Sequence, residues 1–450
     1  MQVKNQLKSN LFAISPLDGR YYNQVKELKE YFSEYALIKK RIYVELIYLS
    51  EIVYLIKEKK IDFLEIYKKI SYDDILRVKE IEKITNHDVK SVEYFIKEKL
   101  NEKKLNEFRE FVHFGLTSED INNISYALLI KDSLTLIENY INEIISELKK
   151  IVRENYNLPM LARTHGQPAT PTTLGKEFAV FINRLNNELD ILKNIEIEAK
   201  LNGATGNFNA FYFTLPEKDF LSFSKNLINS LGLKANILTT QIEPHDSYSR
   251  IFDSLSRINN ILIDMCIDIW LYISMNYFTL IKKDNEVGSS TMPHKVNPID
   301  FENAEGNLGL SNSILEFMKN KLTKSRLQRD LSDSTVLRNI GVAFGYSILS
   351  YKSIKKGLLK LNPNKDKILK DLNDNPEVIT EAIQTLLRLA SIENPYEIMK
   401  DLTRGNKLTL EEIYSYIDNL NIDEKLKEKI KSLTPFNYIG IADKLALEII

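Results

Sequence analysis

Cysteine is almost absent from this chain: Cys266 stands alone among 450 residues, so no internal disulfide can form. It lies in the apolar run Ile261–Cys266, where a buried structural thiol in a reducing, cytoplasmic setting is expected. An excess of either charge is also missing. Sixty-one basic residues meet 62 acidic ones for a net charge of −1, which argues against a general nucleic-acid or membrane surface. Long hydrophobic runs are lacking as well: the stretch Ile269–Ile281 is too short to cross a bilayer. The first 20 residues hold only the short apolar run Leu11–Ile14, so no signal peptide is expected. Without His-x-x-x-His, a Cys–His cluster or a Walker loop, neither a metal nor a cofactor is expected.

Glycine and proline are sparse too, at 15 and 12 residues, and no proline falls between His245 and Met292 or between Ile299 and Asn362. Such runs, rich in Leu, Ile, Lys and Glu, favour helices well beyond three turns. The periodicity agrees. Ile137, Ile141, Ile144, Leu148 and Ile151 form one seam, and Leu174, Phe178, Phe181, Leu185, Leu189 and Leu192 another. From Ile251 to Phe278 the apolar pattern spreads over most faces, as in a helix buried within a bundle or between subunits. The fold class is therefore all-α, with Phe208–Leu215 as the one hairpin-like excursion. At this length more than one core is needed. The expected division is an N-terminal helical domain (1–117), a central long-helix bundle (118–362) and a C-terminal helical domain (363–450).

The chemistry-bearing residues gather in loops between these helices. Only five histidines occur, at 87, 113, 165, 245 and 294, most of them beside polar or turn-forming residues. The strip Gly288–Pro298 offers Ser289, Ser290, Lys295 and Asn297, with Pro293 and Pro298 fixing a non-helical path; it reads either as a closing loop for a carboxylate or as a helix cap. Arg163–Thr173 reads as a proline-marked turn in which His165 serves as a general acid, or as a capping loop for the next helix. In Thr239–Asp246, Gln241 is the ligand-binding candidate, while Asp246 suits a helix N-terminus. Thr117 and Ser118 precede an acidic pair and a helix, so they read as caps whatever else they do. His87 beside Asp88 forms a candidate orienting pair. On a helix, Arg326, Arg329 and Asp330 would share a face; with Ser334, Thr335 and Arg338 they read as ion pairs or as a phosphate site.

With these residues in hand, the chain resembles the bacterial-type adenylosuccinate lyases of the fumarase/aspartase superfamily. The strip Gly288–Pro298 looks like the superfamily's signature loop. Thr164–Thr170, Ile299–Asn303, Ser15–Tyr21, Thr85–Asp88, Thr117–Asp120, Thr240–Asp246, Arg329–Arg338 and Thr434–Gly440 match in order along the chain. The resemblance implies a three-domain, almost wholly helical subunit and a homotetramer with each active site shared among three subunits. It implies elimination of fumarate from adenylosuccinate to give AMP, and from the succinylcarboxamide ribotide (SAICAR) to give AICAR, in purine nucleotide synthesis. By family position Ser289 would be the base, His165 the acid, and Lys295 with Asn303 the partners of the substrate carboxylate. Arg20, Tyr21, Asn86, His87, Asp88, Arg329, Ser334, Thr335 and Arg338 would hold nucleotide and phosphate. Thr117, Ser118, Gln241 and Ser290 would hold the succinyl part or the base, and His113, His245 and His294 would line the site.

Two rival readings differ in kind. A carboxymuconate cycloisomerase can share Met-Pro-His-Lys, but it has no use for the phosphate-suited arginines between Arg326 and Arg338. A catalytically idle helical protein has no use for intact His165, Ser289 and Lys295.

Overall fold

The computed structural model describes residues 10–281, 292, 295–403 and 408–450. Long helices dominate: α1 (Glu34–Lys57), α2 (Tyr72–Thr85), α3 (Asp88–Glu102), α4 (Ser118–Asn155), α5 (Leu174–Lys193), α6 (Asp246–Ser274), α7 (Ile299–Lys321) and, after the short helix α8 (Ser332–Leu337), α9 (Ile340–Leu358). At 38 residues, α4 extends roughly 57 Å at 1.5 Å per residue. The expected seams are buried, with one adjustment: α4 buries Ile137, Ile141, Ile144 and Leu148, then Val152 in place of Ile151. Seven residues carry a helix through slightly less than two full turns, so a stripe kept on one face drifts in this way. On α6, Ile251, Leu255, Ile258, Leu262, Met265 and Ile269 are buried and Cys266 with them, whereas Ile267, Trp270 and Leu271 remain exposed. Among the described residues, no helix is long and apolar enough to cross a membrane.

The chain divides into two compact units. The first comprises residues 1–140, 188–260 and 306–352. Its interior is not purely apolar. Asn259 Nδ2 donates to Ser347 Oγ at 3.1 Å, Ser311 and Ser347 hydroxyls meet at 2.8 Å, and Tyr351 Oη donates to Asn259 Oδ1 at 2.6 Å. All four side chains are buried, and the mutual pairing satisfies what would otherwise be costly polar groups. The second unit comprises 141–187, 261–305 and 353–450. Leu161, Leu372, Ile379, Ile383, Leu387, Ile413, Ile417 and Ile430 form its C-terminal core. Short helices, each presenting one apolar stripe, build this part.

Three sequence expectations change. Phe208–Leu215 is not a hairpin: Asn209–Thr214 is helical, because Phe208, Phe211 and Tyr212 share a helical face, with Phe208 against the other two rings and those two against Phe220. Arg163–Thr173 is not an irregular loop. Pro159–Thr164 (β1) and Gln167–Thr173 (β2) pair as an antiparallel hairpin. Finally, the chain is non-helical from Arg326 to Leu331, so Arg326 and Asp330 meet across a turn, with Arg326 N–H donating to Asp330 Oδ2 at 3.0 Å.

Candidate active site

In the first unit, α3 begins where His87 caps it: Nδ1 accepts the Lys90 backbone N–H at 3.1 Å. A neutral His87 therefore carries its proton on Nε2, and the half-exposed ring presents a donor. Asn86, in the left-handed conformation at φ 50°, makes the turn between α2 and α3. The next residue, Asp88, is gripped on both sides. Its Oδ2 accepts from Arg41 Nη2 at 2.8 Å and from Arg338 Nη2 at 3.2 Å, and Oδ1 accepts from the Val89 N–H at 2.9 Å. Burial works to raise the Asp88 pKa, but the Arg41 charge and hydrogen bond, with Arg338 behind them, hold it below the ordinary carboxylate value. Arg338 also donates through Nη1 to Ser334 Oγ at 2.7 Å, which fixes the reach of both side chains. A cavity of about 240 Å³ is lined by Ser15, Leu17, Asp18, Tyr22 and Arg338, so the loop leading to Arg20 and Tyr21 faces the same arginine. The Arg20 guanidinium lies 5.9 Å from the centroid of the Tyr21 ring.

A second tie brings Thr117, Ser118 and Gln241 to one neighbourhood. Thr117 N–H donates to Asp120 Oδ2 at 2.9 Å, closing the start of α4. Asp120 forms a fully buried ion pair with Lys200 at 2.9 Å, and Lys200 Nζ donates to the Gln241 carbonyl at 2.8 Å. The Gln241 side chain donates through Nε2 to the Ala204 carbonyl at 2.8 Å. Close backbone approach makes this possible: a Cβ on Gly206, at φ +81°, would sit 2.2 Å from the Thr239 carbonyl oxygen.

A third knot surrounds Arg329, whose Nη1 donates to Asp333 Oδ2 at 3.0 Å and to Glu119 Oε2 at 3.3 Å. Both acids are buried, as is His245. Burial is the largest influence on Glu119 and pushes its pKa up to about 8 despite Arg329 nearby; burial likewise pulls His245 down to about 4. Thr335 is exposed on α8 beside these groups in sequence, and its carbonyl accepts from Asn339 Nδ2 at 3.0 Å.

The second unit carries His165, Lys295 and Asn303. His165 and Gly166 are the two central residues of the hairpin turn, at φ 53° and 74°, as a tight turn matched to the strand twist requires. The ring stands exposed at the tip of a braced arm. Arg163 Nη2 pairs with Asp371 Oδ2 at 2.9 Å, Thr170 Oγ1 donates to Glu381 Oε2 at 2.8 Å, and Leu161 enters the C-terminal core. Thr173 caps α5, accepting the Lys176 N–H at 3.2 Å, as the capping reading of this stretch expects. Lys295 is exposed just before α7, and Asn303 is exposed within its first two turns. Ser289, Ser290 and His294 lie outside the described residues.

Sequence reasoning missed four residues: Arg41, Glu45, Glu119 and Asp333. A signal existed for the first two. Ile38, Arg41, Ile42 and Glu45 share one face of α1, and charges on an apolar stripe need partners; Arg41 was masked by its neighbours Lys39 and Lys40. Glu45 pairs with His113 Nδ1 at 2.6 Å. Burial works against the charged imidazole there, but the Glu45 charge and hydrogen bond, together with the Glu93 and Asp120 charges, raise the His113 pKa.

The comparisons with known proteins follow this inventory. A family model described as lyase matches residues 19–310, and one described as adenylosuccinate lyase C-terminal matches 325–439. Adenylosuccinate lyase of Buchnera aphidicola subsp. Schizaphis graminum is 50% identical, covering 98% of this chain and 99% of its own. That of Dictyostelium discoideum is also 50% identical, over 96% and 97% of the two chains. That of Escherichia coli strain K12 is 48% identical, over 96% and 98%. Among solved structures, a fumarate lyase from Mesorhizobium sp. BNC1 superposes with TM-score 0.75 at 18% identity, covering 94% of this chain and 97% of that one. The 3-carboxy-cis,cis-muconate lactonizing enzyme from Pseudomonas putida gives 0.73 at 16%, over 94% and 96%. The structural matches establish the fold, and the sequence matches, which run through both family models, decide the branch: the chain belongs to the adenylosuccinate lyase family.

Proposed function

We propose that this chain eliminates fumarate from adenylosuccinate, giving AMP, and from SAICAR, giving AICAR. The observation that carries the reading is the near-half identity to adenylosuccinate lyases along almost the full length. The reaction removes a proton from the carbon beside a carboxylate, forms a dianionic aci-carboxylate, breaks the C–N bond and protonates the departing nitrogen. Ser289 takes the carbon-bound proton; a serine hydroxyl does this only once it has itself lost its proton. His165 delivers a proton to the nitrogen, and its place at a braced hairpin tip supports that role by giving a fixed direction of approach. Lys295 and Asn303 partner the carboxylate, where charge accumulates most.

Arg20, Tyr21, Asn86, His87, Asp88, Arg329, Ser334, Thr335 and Arg338 hold nucleotide and phosphate, Asp88 by setting Arg338. Thr117, Ser118, Gln241 and Ser290 hold the succinyl part or the base. The division into 1–117, 118–362 and 363–450 is carried with this reading. So is a cytoplasmic homotetramer with sites shared among three subunits, without nucleic-acid or membrane partners. The exposed Ile267, Trp270 and Leu271 on α6 and Leu310 and Phe317 on α7 support the subunit contacts.

An absorbance assay with adenylosuccinate and SAICAR side by side tests the activity. Ser289→Ala and His165→Ala are each expected to abolish fumarate release with fold and assembly intact; near-normal turnover in His165→Ala would remove it as the acid. Mixing the two inactive variants is expected to restore part of the activity, and no recovery would mean that each site is built from one subunit.

A further inference from the structure

Arg329 is held by more acid than it can neutralise. One of its nitrogens, Nη1, meets Asp333 Oδ2 at 3.0 Å and Glu119 Oε2 at 3.3 Å, with the two acid side chains only 5% and 3% exposed. Among the described residues, the remaining Glu119 oxygen, Oε1, has no hydrogen-bond partner, and neither ring nitrogen of His245 has one. Polar atoms of Glu119, His245 and Asp333 all lie within 4.8 Å of one another. Two carboxylates against one guanidinium would leave a net negative charge away from water. Such a charge is expensive, and the inexpensive remedy is one retained proton.

We propose that Glu119 and Asp333 are positioning residues for Arg329, clamping its guanidinium, and that Arg329 binds an anion with one proton held in the cluster, so that wherever this proton has been lost to solvent the anion is taken up together with a proton. The proton comes from solvent and bonds to a Glu119 carboxylate oxygen. His245 stays neutral and lends a nitrogen toward it, while Arg329 supplies the positive charge that the cluster requires. Among the described residues, the groups facing Glu119 are few. Asp120 and Tyr126 share its helix, Lys200 is already paired with Asp120, and Tyr248 follows His245 on α6. None of them offers Glu119 a second free cation. Its upward displacement to about 8 agrees with this geometry.

The proposal rests on Arg329 binding the substrate's anionic part. The test follows KM and kcat for adenylosuccinate from about pH 6.5 to 9.5, with calorimetry of AMP binding at about pH 8.5 in two buffers of different ionisation enthalpy. In the unaltered enzyme KM is expected to climb by up to about tenfold per pH unit above about 8 while kcat changes less, and AMP binding is expected to draw in a proton. Glu119→Gln imitates the protonated acid and is expected to erase both the climb and the proton uptake. Asp333→Asn frees Arg329 to neutralise Glu119, so its climb is expected to begin at lower pH. A flat KM in the unaltered enzyme, or the same climb in Glu119→Gln, would overturn the proposal. Undiminished AMP affinity in Arg329→Met would instead fault the assignment of this arginine to the substrate.

Discussion

Asp88 and Arg329 stand at the centres of two knots built from the same residue types in opposite ratio. At Asp88 one carboxylate serves two arginines, Arg41 and Arg338; at Arg329 one guanidinium serves two carboxylates, Glu119 and Asp333. The outcomes diverge accordingly. Asp88 is driven below its ordinary value even though burial opposes this, and Glu119 is driven up to about 8 even though Arg329 opposes that. A count of partners decides the sign once burial has raised the stakes for both. The first knot thus carries surplus positive charge, whereas in the second a retained proton brings one guanidinium and two carboxylates only to neutrality.

The largest expected break is Arg329→Met. It strands two buried acids, so stability should fall by about 3 kcal/mol or more above pH 8, and KM for adenylosuccinate should rise on the order of a hundredfold. Denaturant unfolding and steady-state kinetics check the two halves, and an undisturbed KM would detach Arg329 from the substrate. Arg41→Met comes next. It removes one of the two cations from Asp88 and leaves Arg338 less fixed, so we expect a loss of about 2 kcal/mol and a KM increase of about tenfold with kcat nearly unchanged. If kcat fell in step with kcat/KM, Arg41 would act on the chemical step instead.

The pH dependence of stability gives a third, smaller test, because the two knots should respond with opposite signs. Glu119 has a raised folded value, so its contribution is complete below about 4.5 and is lost as pH rises through about 8. Asp88 has a depressed value, so its contribution is present above about 3.8 and is lost as pH falls through the lowered value. Urea midpoints for Glu119→Gln are expected to lose part of the decline between about pH 4.5 and 8 while keeping the acid-side loss. An unaltered decline would place the titration elsewhere. The smallest effect belongs to Arg41→Lys, which keeps the charge but cannot bond both Asn122 Oδ1 and Asp88 Oδ2 in one plane; about 1 kcal/mol is expected.

Much of this site could be read along the chain because its parts are local. The caps at Thr117 and Thr173, the acidic start of α6 at Asp246 and the helical seams each depend on residues a few positions apart. The hairpin at His165 escaped because its prolines and glycine mark turns and break a strand pattern, and the bracing partners Asp371 and Glu381 lie about 210 residues away. The aromatic stretch after Phe208 escaped for the converse reason: its residues favour strands in general, and packing with Phe220 made it a helix.

Sequence by itself determined the all-helical class, the long helices, the family and the identity of the residues at the proposed site. Tertiary structure decided what those residues can do. Asp88 could be read as a ligand group until Arg41 and Arg338 closed on it, and Glu119 as a helix-start acid until burial beside Asp333 gave it a proton to keep. Residue type sets which charges are available, but desolvation and the number of opposite partners set whether a charge exists at all, and both are properties of the folded chain.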